Sequence, residues 1–83
     1  LEQNYPNPFN PVTNLEFGIS NLEFVTLKIY DMLGNEITTL VNDELGPGEY
    51  KVEFDGSNFA SGMYFYKLSS GNYSVTKKMN LIK

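Results

Sequence analysis

The chain has 83 residues, a net charge of −4 with lysine as its only cation, and neither cysteine nor histidine. That removes disulfide staples, the commonest general base, the best thiol nucleophile and the usual zinc ligands. The missing arginine-rich patch argues against a nucleic-acid binder, and no apolar run reaches the length of a membrane span.

The chain opens at Leu1 without a methionine or a signal peptide. The expectation is a piece of a longer polypeptide, with any export signal upstream. Residues 1–12 read LEQNYPNPFNPV. Pro6, Pro8 and Pro11 forbid a helix and disfavour a central strand, and the intervening Asn residues suit turns. This predicts an extended lead-in at the seam to a preceding domain, anchored by Tyr5 and Phe9. Residues 13–83 are the predicted body.

From Thr13 the pattern has period two. Leu15, Phe17 and Ile19 alternate with polar residues, predicting a half-buried strand. After a turn at Ser20-Asn21, Val25, Leu27 and Ile29 mark a second strand. Leu33-Gly34-Asn35 is a tight connection, and Glu36 to Val41 is a third strand rich in Ile, Thr and Val. Asn42 to Gly48 reads as a loop. Tyr50, Val52 and Phe54 mark a fourth strand. Residues 55–62 read as a polar loop holding Phe59. Met63 to Leu68 is apolar on both parities, which predicts a central strand covered on both sides. Ser70-Gly71-Asn72 is a hairpin turn. Tyr73, Val75, Met79 and Leu81 share one parity of a long last strand. Six or seven short strands with no helical period predict an all-β sandwich of mostly antiparallel strands.

A domain of this size buries only about 60–65% of its unfolded surface, so its rings must pack well. The six Tyr and six Phe are read mainly as core. The serines at Ser20, Ser57, Ser61, Ser69, Ser70 and Ser74 have no histidine to activate them and read as turn formers. The carboxylates Glu16, Glu23, Glu36, Glu49 and Glu53 read as solvated strand faces. Oxygen ligands at Asp55, Ser57 and Asn58, at Asp31 and Asn35, or at Asp43 and Glu44 match no EF-hand spacing. A sugar platform of Tyr30, Tyr64, Tyr66 and Tyr73 is a minor alternative to core packing. No cofactor or metal is expected, and the chain reads as non-enzymatic.

Four stretches taken together carry a resemblance. They are Asn4-Tyr5-Pro6-Asn7-Pro8-Phe9-Asn10-Pro11; Val25 to Asp31 with Leu33-Gly34 and Leu40-Val41; Gly48-Glu49-Tyr50 with Phe54-Asp55-Gly56 and Ala60 to Tyr66; and Lys77-Lys78-Met79. In this order the chain resembles the C-terminal sorting domain of the type IX (Por) secretion system, and more distantly the module of flagellar hook-capping proteins. The resemblance implies an immunoglobulin-like sandwich that addresses an attached N-terminal cargo to the outer-membrane machinery. It also implies transit through the periplasm to the cell surface or medium, and removal by a sortase-like peptidase.

On this resemblance Lys78 and Lys83 match C-terminal basic positions, and Lys77, Lys78 and Lys83 are candidates for recognition by the machinery. Asn7, Pro8, Phe9, Asn10, Pro11, Gly34, Gly48, Tyr50, Gly62 and Tyr64 match motif positions expected to be structural. The last strand is expected to be an edge. Its lysines would guard it against unwanted pairing, or it would be gripped by strand addition. A monomer or an edge-strand dimer is expected. A carbohydrate-binding accessory module and a structural spacer are the alternative readings.

Overall fold

The computed structural model describes residues 1–82. Six strands follow one another: β1 (Val12–Ile19), β2 (Glu23–Tyr30), β3 (Glu36–Leu45), β4 (Gly48–Asp55), β5 (Gly62–Ser70) and β6 (Tyr73–Leu81). They form a two-stranded sheet, β1-β4, and a four-stranded sheet in the order β3-β2-β5-β6. All strand pairs are antiparallel. The shortest dimension is 17 Å. That fits two sheets about 10 Å apart plus their outward side chains.

Period-two alternation sets which rows face inward. Leu15, Phe17 and Ile19 from β1 meet Val25, Leu27 and Ile29 from β2, and Tyr64, Tyr66 and Leu68 from β5. Phe9 of the lead-in, Phe54, Met79 and Leu81 complete the cluster. Burying an aliphatic or aromatic side chain of this kind stabilises by about 1.5–3 kcal/mol, so these rows fix the register.

The β2–β3 turn is closed by one carboxylate. Asp31 Oδ1 accepts hydrogen bonds from the N–H groups of Asn35 and Leu33, both at 2.9 Å. The Asn35 backbone bond is the largest of the interactions that hold the Asp31 carboxyl below its ordinary range. Gly34 has φ +87° here, a left-handed conformation that glycine adopts without a Cβ clash.

Three expectations need correction. Asn42 to Leu45 is not loop but the end of β3, and Gly46-Pro47 alone connects it to β4. Two bulges hid this strand. The pairing with β2 skips Leu40 and Ile37, so both join Val41 and Leu45 against the core and the alternation is lost. Second, β5 is central but covered on one side only. Tyr64, Tyr66 and Leu68 are buried, whereas Met63 and Phe65 are half-exposed and Lys67 is exposed. Third, Tyr5 is not an anchor: its side chain is 77% exposed, against 1% for Phe9.

Candidate functional site

The motif residues converge where the lead-in meets the end of β6. The lead-in first runs beside the outer edge of β1. Glu2 N–H donates to the Glu16 carbonyl (2.9 Å), and Tyr5 and Asn14 exchange two backbone bonds. It then crosses to the other sheet. Phe9 N–H donates to the Asn80 carbonyl (3.0 Å), and Ile82 N–H donates to the Phe9 carbonyl (2.9 Å), forming a parallel bridge to Leu81.

Pro8 has no N–H, and a side chain serves this stretch of the edge: Asn7 Oδ1 accepts from Asn80 N–H at 3.0 Å. Gln3 Nε2 donates to the Lys78 carbonyl at 2.8 Å. The Phe9 ring drops into the core edge-on to Phe54, 6.0 Å between centroids. Pro11 gives its carbonyl to Gly56 N–H at 2.7 Å. A Cβ on Gly56 would stand 3.0 Å from Leu81 Cδ2 and 3.3 Å from the Phe9 ring, so a larger residue there would make both neighbours shift. Pro8 and Asn10 are exposed.

A buried polar cluster locks this segment from beneath. Tyr66 Oη accepts from Asn4 N–H (2.8 Å) and donates to the Glu2 carbonyl (3.0 Å). Asn4 Nδ2 donates to Thr13 Oγ1 and to the Pro6 carbonyl, and Thr13 Oγ1 donates to the same carbonyl. Among the described residues no buried side-chain polar atom lacks a partner, as burial without water demands. Burial pushes the Tyr66 phenol above its ordinary value, partly offset by the Asn4 bond. Sequence reasoning does not bring Asn4, Thr13 and Tyr66 together as a cluster. The available signal is parity: Thr13 shares the inward row of Leu15 and Phe17, and a polar residue there needs a partner.

The remaining motif positions build one device twice. Gly48 and Gly62 open β4 and β5 with φ +152° and +150°. Two residues later a tyrosine reaches back four positions: Tyr50 Oη donates to the Gly46 carbonyl (2.7 Å) and Tyr64 Oη to the Ala60 carbonyl (2.6 Å). Each Gly-x-Tyr thus pins the loop that enters its strand. Tyr64 also faces Phe59, 6.4 Å away, which plugs the 55–62 loop.

The lysines divide. Lys77 lies opposite buried Tyr66 and is half-buried on the core-facing side of β6, while Lys78 lies opposite Phe65 on the outward face and is exposed. The two therefore do not form one patch. Lys83 lies outside the described residues. The expectation of a β6 edge open to strand addition along its length is also corrected: the lead-in occupies it from Lys78 to Ile82. Only residues 73–77 remain unpaired on that side among the described residues. The tyrosine platform does not assemble either, because Tyr64 and Tyr66 are buried in the core.

Among the described residues no group of three or more carboxylates gathers at one point. Asp31 instead caps its turn, and Asp55 accepts from the N–H and hydroxyl of Ser57. Among the described residues no helix is long and apolar enough to cross a membrane. The family described as "Secretion system C-terminal sorting domain" matches residues 3–83. No curated protein matches the chain.

Proposed function

The chain belongs to the family of secretion-system C-terminal sorting domains, and from that premise we propose how its parts divide the work. As a sorting signal for type IX secretion it directs export across the outer membrane. The cargo is attached ahead of the lead-in. Lys77, Lys78 and Lys83 mark the end that the machinery reads, and a sortase-like peptidase cuts on the cargo side of Glu2.

The observation that supports this division is the clasp between residues 3–9 and 78–82. It ties the cargo junction to the last strand, so a partner that grips the last strand holds the cargo's attachment point through hydrogen bonds rather than through a flexible tether. A cut inside the clasp is disfavoured on the same grounds, because residues from Glu2 onward are held by the body. The domain works as an address, with no catalytic step of its own.

A passenger fused ahead of Leu1 and expressed in a type IX host should reach the medium or cell surface, and the same passenger without the domain should stay in the periplasm. Retention of the intact fusion would defeat the reading. Changing Lys78 and Lys83 together to Gln should lower export while leaving the fold intact by circular dichroism.

A further inference from the structure

Resting on the sorting role just proposed, we infer that the outward face of the four-stranded sheet, centred on Lys28, Lys67, Tyr30, Phe65 and Lys78, docks an acidic protein surface of the secretion machinery. The register places these residues together. Lys28 of β2 lies directly opposite Lys67 of β5, and Tyr30 lies opposite Phe65. Phe65 in turn lies opposite Lys78 of β6.

Folding alone does not account for this arrangement. Like charges directly opposite each other across a sheet are destabilising. Guarding an open edge does not explain them either, because β2 and β5 are the two central strands of their sheet and the lead-in already covers the β6 edge at Lys78. Lys28 is answered by Glu36 at 3.2 Å. Lys67 and Lys78 form no ion pair among the described residues. Tyr30 and Phe65 are half-exposed and stand outside the core cluster. The result is an apolar pair bordered by Lys28, Lys67 and Lys78, with Glu36 on the β3 side, and rings with charges at their rim are the anatomy of a recognition surface.

The sign is local, because the opposite sheet has the reverse charge. The outward row of β1 and β4 holds Glu16, Glu49, Glu53 and Asp55 with one lysine, Lys51. In a chain of net charge −4, an acidic partner is repelled from that side and steered to the other. Size also speaks to the kind of contact. Four strands about 4.8 Å apart and a shared span of about 20 Å give a face on the order of 400 Å². A stable complex usually uses about 800 Å² per partner, so this contact is transient and sensitive to salt.

Lys67→Glu separates docking from folding, because it turns an opposed like pair into an opposed unlike pair. The melting midpoint of the purified chain should rise by about 2–5 °C, while export of the fused passenger falls about tenfold or more. Should this variant melt below the wild type, Lys67→Thr takes its place and must itself cut export. Wild-type export by a Lys67→Glu fusion overturns the docking face and leaves the sorting role standing. Failure of the unaltered fusion to be exported overturns the sorting role itself. Two results would give the face to another occupant and equally overturn the proposal. One is low-salt dimerisation of the pure chain that Lys67→Glu abolishes. The other is binding to polygalacturonate that Lys67→Glu abolishes while export persists.

Discussion

On one flank of the sandwich, between β1 and β6, the gap between the sheets is crossed by a segment that bonds to both of them. On the other flank, between β3 and β4, it is crossed among the described residues by the Gly46-Pro47 turn alone. The first flank is sealed by a buried ring, a buried polar cluster and backbone bonds. The second is pinned by Tyr50, stacked on Phe17 at 5.5 Å and bonded to the Gly46 carbonyl. Among the described residues nothing pairs with the outer edge of β3. Its bulges and the charges of Glu36, Asp43 and Glu44 guard it against unwanted partners. The two flanks use unlike means because only one of them must hold the chain's beginning to its last strand.

The largest expected effect breaks the sealed flank. Phe9→Ala removes a ring that is 1% exposed and contacts Phe54 and the space under Gly56. The cost should be about 3–5 kcal/mol, a large part of the about 5–15 kcal/mol that a domain has in total. Urea denaturation would measure it, and amide exchange at Ile82 should accelerate with it.

Next comes a pair that compares the flanks directly. Tyr66→Phe strands the buried Asn4 N–H and the Glu2 carbonyl, which should cost about 1–3 kcal/mol. Tyr50→Phe removes one bond to a half-buried carbonyl that water can reach, and should cost about 0.5–1.5 kcal/mol. The Tyr66 phenol also gives the first flank a pH signature. Its folded pKa is raised, so the neutral form is favoured by folding. Its contribution is complete below the unfolded tyrosine value of about 10 and is lost as pH rises through the higher folded value. Tyr66→Phe should flatten that alkaline loss.

Sequence carried the rows of β1, β2 and β4 plainly, because one solvated face and one buried face produce clean alternation. It carried the β5–β6 hairpin through Gly71-Asn72 for the same reason. It failed where geometry departs from period two. The bulges at Ile37 and Leu40 blurred β3, and Asn42-Asp43-Glu44 read as loop because an edge strand can be polar where it faces water. The clasp was half legible. The prolines announced an extended segment, but Tyr66, which holds the Asn4 backbone, and Asn80, which bonds Asn7, lie 62 and 73 residues away, and no local signal reports a contact of that range. Lys77 and Lys78 are candidates alike in the sequence, yet adjacent strand residues point to opposite faces.

The smallest expected effect sharpens the comparison by showing what the sealed flank does not use. Tyr5 lies in the middle of the lead-in, and its backbone makes two bonds to Asn14. Its ring, 77% exposed, contributes no burial that folding could exploit. Tyr5→Ala should therefore change stability by no more than about 0.5 kcal/mol, against the large loss at Phe9 four positions later. The bonds at Asn14 belong to the main chain and survive the substitution. Equal costs for Tyr5→Ala and Phe9→Ala in urea titrations would mean that the lead-in is held by both rings, and that the buried ring is not what closes this flank.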